Sequence, residues 1–118
     1  MSINFTMTRG DSASFSVSVT LGGVPFDLSS CSLWFTAKNK FTDPDVNAIF
    51  QKTIGNGIIV TNGVQGLATI NLLPADTSVL GLIKTILFWD LQLKDSLNNI
   101  YTINSGNLIV SPDVTQAS

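Results

Sequence analysis

The sequence predicts an all-β fold, an antiparallel sandwich of about eight or nine strands, on three observations. Apolar and polar residues alternate with period two along most of the chain. Clusters of Gly, Pro, Asn and Ser interrupt that alternation at short, regular spacing. No stretch sustains the 3.6-residue period of an amphipathic helix. At 118 residues the chain has the length of one domain. A domain of this size buries roughly two-thirds of its unfolded surface, enough for a core without metal or disulfide staples. The expected layout is a sandwich over residues 1–111 and a polar, frayed tail over 112–118.

In residues 14–21 every second residue (Phe15, Val17, Val19, Leu21) is apolar, and the residues between are Ser or Thr. This is a strand with one wet face. Gly22-Gly23 turns the chain, and Val24-Pro25-Phe26 starts an edge-like strand, since Pro cannot donate to a central ladder. Beyond Ser29-Ser30, Leu33, Phe35 and Ala37 point one way, and Trp34, Thr36 and Lys38 the other. Residues 38–46 are the most polar stretch and form an exposed, outward loop. Residues 48–54 resume as strand, and Gly55-Asn56-Gly57 is a hairpin turn into 58–61. Asn62-Gly63 with Gln65-Gly66 makes the next turn, into a strand over 67–72. Residues 74–80 are the one helical turn, capped by Asp76-Thr77 and too brief to be a helix of weight.

Residues 84–93 form the strongest strand. Thr85, Leu87, Trp89, Leu91 and Leu93 share one face; Ile86, Phe88, Asp90 and Gln92 share the other. The loop 95–99 leads to a strand at 100–103, and Ser105-Gly106 turns into a last strand at 108–110. This succession points to an immunoglobulin-like sandwich. With one Cys there is no Cys…Trp…Cys pattern, so a true immunoglobulin domain is excluded. No internal repeat or linker is visible.

Charged residues make up 12 % of the chain, about half the usual share. Six Lys or Arg face eight acids, all Asp, for a net charge of −2. Without a basic excess or stripe, nucleic acid is not expected as a partner. With so few charges, apolar faces are expected to be covered by partners. The mean hydropathy is +0.34, yet no stretch approaches the ~20 apolar residues of a spanning helix, so membrane insertion is not expected. The longest apolar stretch, 79–89, is broken by Gly81, Lys84 and Thr85. The start, Met1-Ser2-Ile3-Asn4, has no basic region followed by a long apolar one, so the expectation is synthesis in the cytoplasm without a signal peptide.

There is no His and no Glu. That removes Ser-His-Asp and Cys-His nucleophile systems, His-containing zinc sites and the commonest general base. Cys31 stands alone, which removes internal disulfides, zinc ribbons and iron–sulfur clusters. The expectation is a non-enzyme with no cofactor and no metal.

Several residues still invite a chemical reading. Arg9-Gly10-Asp11 spells an integrin-ligand tripeptide, but Gly10 between two strand-like segments reads as a turn or bulge. Asp43-Pro44-Asp45 places two carboxylates in a loop, short of the oxygen ligands calcium needs and of the cleft glycoside hydrolysis needs. Asp90, inside the most apolar strand, reads as a carboxylate satisfied by backbone, Lys or hydroxyl groups at a sheet margin or subunit contact. Trp34, Trp89 and Tyr101 are candidates for a glycan-stacking platform or interface anchors, with Trp34 the most outward. Cys31 reads as a small buried residue. The sequon Asn4-Phe5-Thr6 has no secretory signal beside it.

Three stretches, taken in order, carry a resemblance. They are Phe5-Thr6-Met7-Thr8-Arg9-Gly10-Asp11 with the alternation after it, and Val24-Pro25-Phe26-Asp27-Leu28-Ser29-Ser30-Cys31-Ser32-Leu33-Trp34-Phe35-Thr36. The third is Phe88-Trp89-Asp90-Leu91-Gln92-Leu93 with Tyr101-Thr102-Ile103 and the run from Ser105-Gly106-Asn107 to Val114-Thr115. Their order resembles small bacteriophage structural proteins related to the immunoglobulin-like N-terminal domain of the phage baseplate upper protein. The resemblance implies a virion component that is not an enzyme, gives Arg9-Gly10-Asp11 a turn role, and fixes no catalytic residue. In the baseplate protein that domain attaches a larger receptor-binding assembly. No such region follows residue 118 here, so a free-standing accessory protein of head or tail is the alternative expectation.

Two classes of function follow. One is a structural interaction protein, assembled in repeated copies on tail, baseplate or neck, or decorating the capsid as a cement protein. Its partners are other virion proteins and copies of itself, meeting through sheet edges and exposed apolar residues. The other is a carbohydrate-binding module, with Trp34 or Tyr101 as stacking surface and Asp43 and Asp45 as the polar grip.

Overall fold

The computed structural model describes residues 4–40, 42–81 and 83–113. Alternation becomes strand in ten segments: β1 (Phe5–Thr8), β2 (Ala13–Ser18), β3 (Thr20–Leu21), β4 (Val24–Pro25), β5 (Ser32–Lys38), β6 (Phe50–Ile54), β7 (Gly57–Asn62), β8 (Leu67–Leu72), β9 (Thr85–Lys94) and β10 (Ile100–Ser111). Among the described residues a single helical turn, α1 (Pro74–Ser78), and a 3-10 turn at Asp45–Asn47 accompany these strands, so the fold is all-β as expected. Eight strands form one mixed, nearly closed sheet in the order β1-β10-β9-β5-β6-β7-β8-β2, and β3 and β4 form a separate hairpin. The alternation of 14–21 splits at Val19, whose N–H donates to Gly66 O (2.8 Å) and whose carbonyl accepts from Phe26 N–H (2.9 Å). Both groups bind the neighbouring loops, and this separates β3 from β2.

The sheet is not antiparallel throughout, and two joins depart from that expectation. β1 runs parallel to β10, from Phe5 beside Leu108 to Thr8 beside Ser111. The expected hairpin at Gly55-Asn56-Gly57 is instead a corner: β6 and β7 run in the same direction and pair only at Thr53–Gly57 and Ile54–Ile58. Bonds from Asn56 N–H to Thr53 O (2.9 Å) and from Gly55 N–H to Ile58 O (3.0 Å) hold the corner. Gly57 sits at φ +97°, and a Cβ there would lie 2.5 Å from Cδ of Lys52. Glycine therefore serves both the backbone conformation and the close passage of the Lys52 side chain.

Nor does Ser105-Gly106 turn the chain. β10 is continuous, with Ser105 opposite Asp90 and Gly106 opposite Trp89. Its irregularity is a bulge at Ile103, between Thr102 and Asn104, which absorbs one residue without breaking the strand.

The inner face of the curled sheet holds the core: Leu87, Trp89, Leu91 and Leu93 of β9, as the alternation predicts, against Leu33, Phe35, Ile58, Ile70, Leu72 and Leu108. Aromatic rings run through it in sequence, with Phe50 5.9 Å from Phe35, Phe35 5.2 Å from Trp89, and Trp89 5.3 Å from Phe5. The edge strands β1 and β2 meet through Phe5 and Phe15, whose ring centroids lie 4.3 Å apart. Each fully buried side chain of this size stabilises by about 1.5–3 kcal/mol relative to exposure.

One end of the molecule is fastened by Arg9. Its Nε donates to Leu80 O (2.6 Å), one terminal nitrogen to Ser78 O (2.6 Å), and the other pairs with Asp113 (3.0 Å). Gly10, at φ +80°, takes the third position of the turn closed by Asp11 N–H to Thr8 O (3.1 Å). Gly10 N–H also donates to the buried Thr77 hydroxyl (2.9 Å). The tripeptide thus forms a structural corner with its guanidinium turned into the protein. Ser111 pairs with Thr8, and Asp113 is held by Arg9. The rest of the expected tail, 114–118, lies outside the described residues.

Candidate functional site

Opposite the core, the outer face of β6, β5, β9 and β10 carries the polar phase of the same alternation. Register places Trp34 between Thr53 and Gln92, and Thr36 between Gln51 and Asp90. Two adjoining hollows lie on this face. One of about 410 Å³ is lined by Trp34, Asp45, Gln51, Gln92, Lys94 and Ile100, among others. One of about 320 Å³ is lined by Phe88, Trp89, Ser105, Gly106 and Asn107. Thr36, Lys38 and Asp90 border both, so the two form one groove.

Lys38 fixes the rim. Its Nζ pairs with Asp45 (2.7 Å) and donates to Asp43 O (2.8 Å), drawing the 3-10 turn toward the strands. Gln51 Nε2 donates to Thr36 Oγ1 (2.9 Å), and Gln92 Nε2 reaches Thr102 Oγ1 at 3.4 Å. Burial pushes the Asp90 carboxyl above its ordinary value of 3.8; Lys38 opposes the shift and Asp45 adds to it.

That direction predicts a pH dependence. An acid with a raised folded pKa binds its proton more tightly in the folded state. Stability therefore falls as pH rises from 3.8 through the raised value, and stays lowered above it. Asp90→Asn is expected to raise the melting temperature at pH 7, with the gain vanishing below pH 3.8. Thermal melts of both proteins at neutral and acid pH check this.

The structure brings Trp34, Asp45 and Asp90 to one groove, with Trp89 bordering its smaller hollow, and leaves Tyr101 and Asp43 out of the lining. Tyr101 pairs with Leu93 on the inner phase, its ring 6.4 Å from Phe26, so it forms no platform with Trp34. Asp43 contributes its backbone carbonyl to Lys38 rather than to the lining of either hollow. Asp90 sits on a strand paired on both sides, not at a sheet margin. Cys31 is half-buried rather than buried, with its thiol pKa raised by burial and by Asp95 and Asp27. A thiol so shifted is a poor nucleophile. Gln51 is the groove residue the sequence reading missed. Its strand alternates Phe50, Lys52 inward against Gln51 outward, and a charged Lys on the inner phase obscured the pattern.

No helix among the described residues is long and apolar enough to cross a membrane. Comparison with known proteins returned no match, either to a family model or to a curated protein.

Proposed function

We propose that the chain is a non-enzymatic structural protein of a bacteriophage particle, an interaction module present in repeated copies on the tail, baseplate or neck. The observation that carries this reading is the apolar end opposite the Arg9 corner. There the β3–β4 hairpin, the 62–66 turn and the 95–99 turn expose Val24 (63 %), Val64 (64 %) and Leu97 (79 %), with Leu21 and Ile100 beside them. Leu28 N–H to Gly63 O (2.8 Å) and the Phe26–Tyr101 ring contact tie these segments together. The acids of this end are engaged locally: Asp27 accepts from Ser29 N–H (2.9 Å), and Asp95 from the N–H groups of Leu97 and Asn99 (both 2.9 Å). An exposed apolar cluster with its carboxylates so occupied suits a protein–protein contact.

The resemblance of the three stretches to phage structural proteins supports the same reading, as does the low charge. The proposed contact is this end rather than the sheet edges, because β1 and β2 face each other. An immunoglobulin-like description of the fold belongs to the proposal too. The β6–β7 corner rests on two residue pairs and divides the sheet into halves, β1-β10-β9-β5-β6 and β7-β8-β2, packed on a shared core.

Mass spectrometry of purified particles of the phage that encodes the chain tests this. The expected result is the chain in multiple copies per particle, and its absence from pure particles overturns the reading.

A further inference from the structure

We infer that the groove on the outer face of β5 and β9 is a binding site for neutral oligosaccharides, with Trp34 as the stacking surface. Three observations point there, and none depends on the chain being part of a particle.

The first is the lining. Trp34 is half-buried on the wet face, and none of the ring contacts among the described residues engages it. Around it stand the amides of Gln51 and Gln92 and the carboxylates of Asp45 and Asp90. An aromatic body with several donors and acceptors converging on it matches a ligand that has one apolar face and many hydroxyls.

The second is charge balance. Lys38 and Lys94 line the larger hollow together with Asp45 and Asp90, two cations with two acids, and Lys38 is already paired with Asp45 at 2.7 Å. A phosphate or carboxylate ligand would find no surplus cation there. Hydroxyl groups, which both donate and accept, suit both kinds of partner.

The third is the backbone. β5 is paired on both sides, by β6 and β9, and β9 is paired by β5 and β10. The floor therefore offers no free N–H or C=O ladder to an extended peptide, and recognition has to come from side chains. The two hollows share Thr36, Lys38 and Asp90, and their combined extent fits a chain of several sugar rings better than a single one.

The test is an array of neutral and anionic oligosaccharides probed with the intact chain, followed by titration calorimetry and tryptophan fluorescence with the best neutral binder. The expected result is saturable binding of at least one neutral oligosaccharide, with a fluorescence change that Trp34→Phe reduces to whatever Trp89, which is buried but borders the smaller hollow, contributes. Trp34→Ala is expected to weaken binding at least tenfold with the melt still cooperative. Gln51→Ala, at an exposed position, is expected to weaken it severalfold and serves if Trp34→Ala fails to fold. No binding across the array, binding of anionic glycans alone, or affinity indifferent to both Trp34→Ala and Gln51→Ala would overturn the inference. Release of reducing ends would overturn it as well, because the groove would then be a hydrolytic site.

Discussion

Asp76→Ala is expected to destabilise the fold by about 3–5 kcal/mol, the cost of leaving one member of a buried ion pair without its partner. Lys52 enters the core side of β6 opposite Phe35, and its side chain is 8 % exposed. Its Nζ lies 2.8 Å from Asp76, whose carboxylate also accepts Leu73 N–H at 2.7 Å, at the start of α1. Removing the carboxylate therefore strands a buried ammonium and releases the cap of the helical turn. The loss is a large part of the 5–15 kcal/mol by which domains are usually stable. Lys52→Met is expected to cost much less, because the methionine refills the aliphatic channel beside Gly57 and the more exposed Asp76 keeps its bond to Leu73. Urea unfolding of the three proteins measures both effects. Equal midpoints for Asp76→Ala and the parent would mean that the pair carries no weight.

Arg9→Ala is expected to cost about 3 kcal/mol, since it leaves Asp113 and the carbonyls of Ser78 and Leu80 without their donor. Arg9→Lys restores little, because one ammonium cannot span three acceptors that a planar guanidinium bridges together. Asp11→Ala, at an exposed position, is expected to stay within about 0.5 kcal/mol. This contrast separates a structural corner from an adhesive tripeptide, in which both charges would serve a receptor and neither would serve the fold. Melting curves of the three variants decide it.

The strand phases were the most legible part of the fold. Leu87, Trp89, Leu91 and Leu93 point inward and Asp90 and Gln92 outward, because a period of two leaves no other choice once one face is buried. Trp34 was placed outward for the same reason. The corner at Gly55-Asn56-Gly57 was not legible, since the same glycines suit a hairpin, and only the close passage of Lys52 distinguishes the two. The parallel join of β1 to β10 was hidden because it depends on contacts a hundred residues apart, beyond any local pattern. Continuity of β10 was hidden because its bulge falls at Ile103, an ordinary strand residue, while Ser105-Gly106 carries turn-like composition within a paired segment. In the groove, Trp34 and Asp45 were named from sequence. What joined them to Asp90, Gln51 and Gln92 was cross-strand register, which alternation alone does not supply. The face of Tyr101 was not legible, because the phase of β10 is set by its pairing with Leu93.

The virion assignment is tested most directly by imaging intact particles of the encoding phage carrying an antibody label against this chain. Label confined to the tail, baseplate or neck is the result expected of an interaction module at those positions. Label spread over the head would contradict that location and make the chain a capsid decoration protein. No label on any particle would contradict the virion assignment itself.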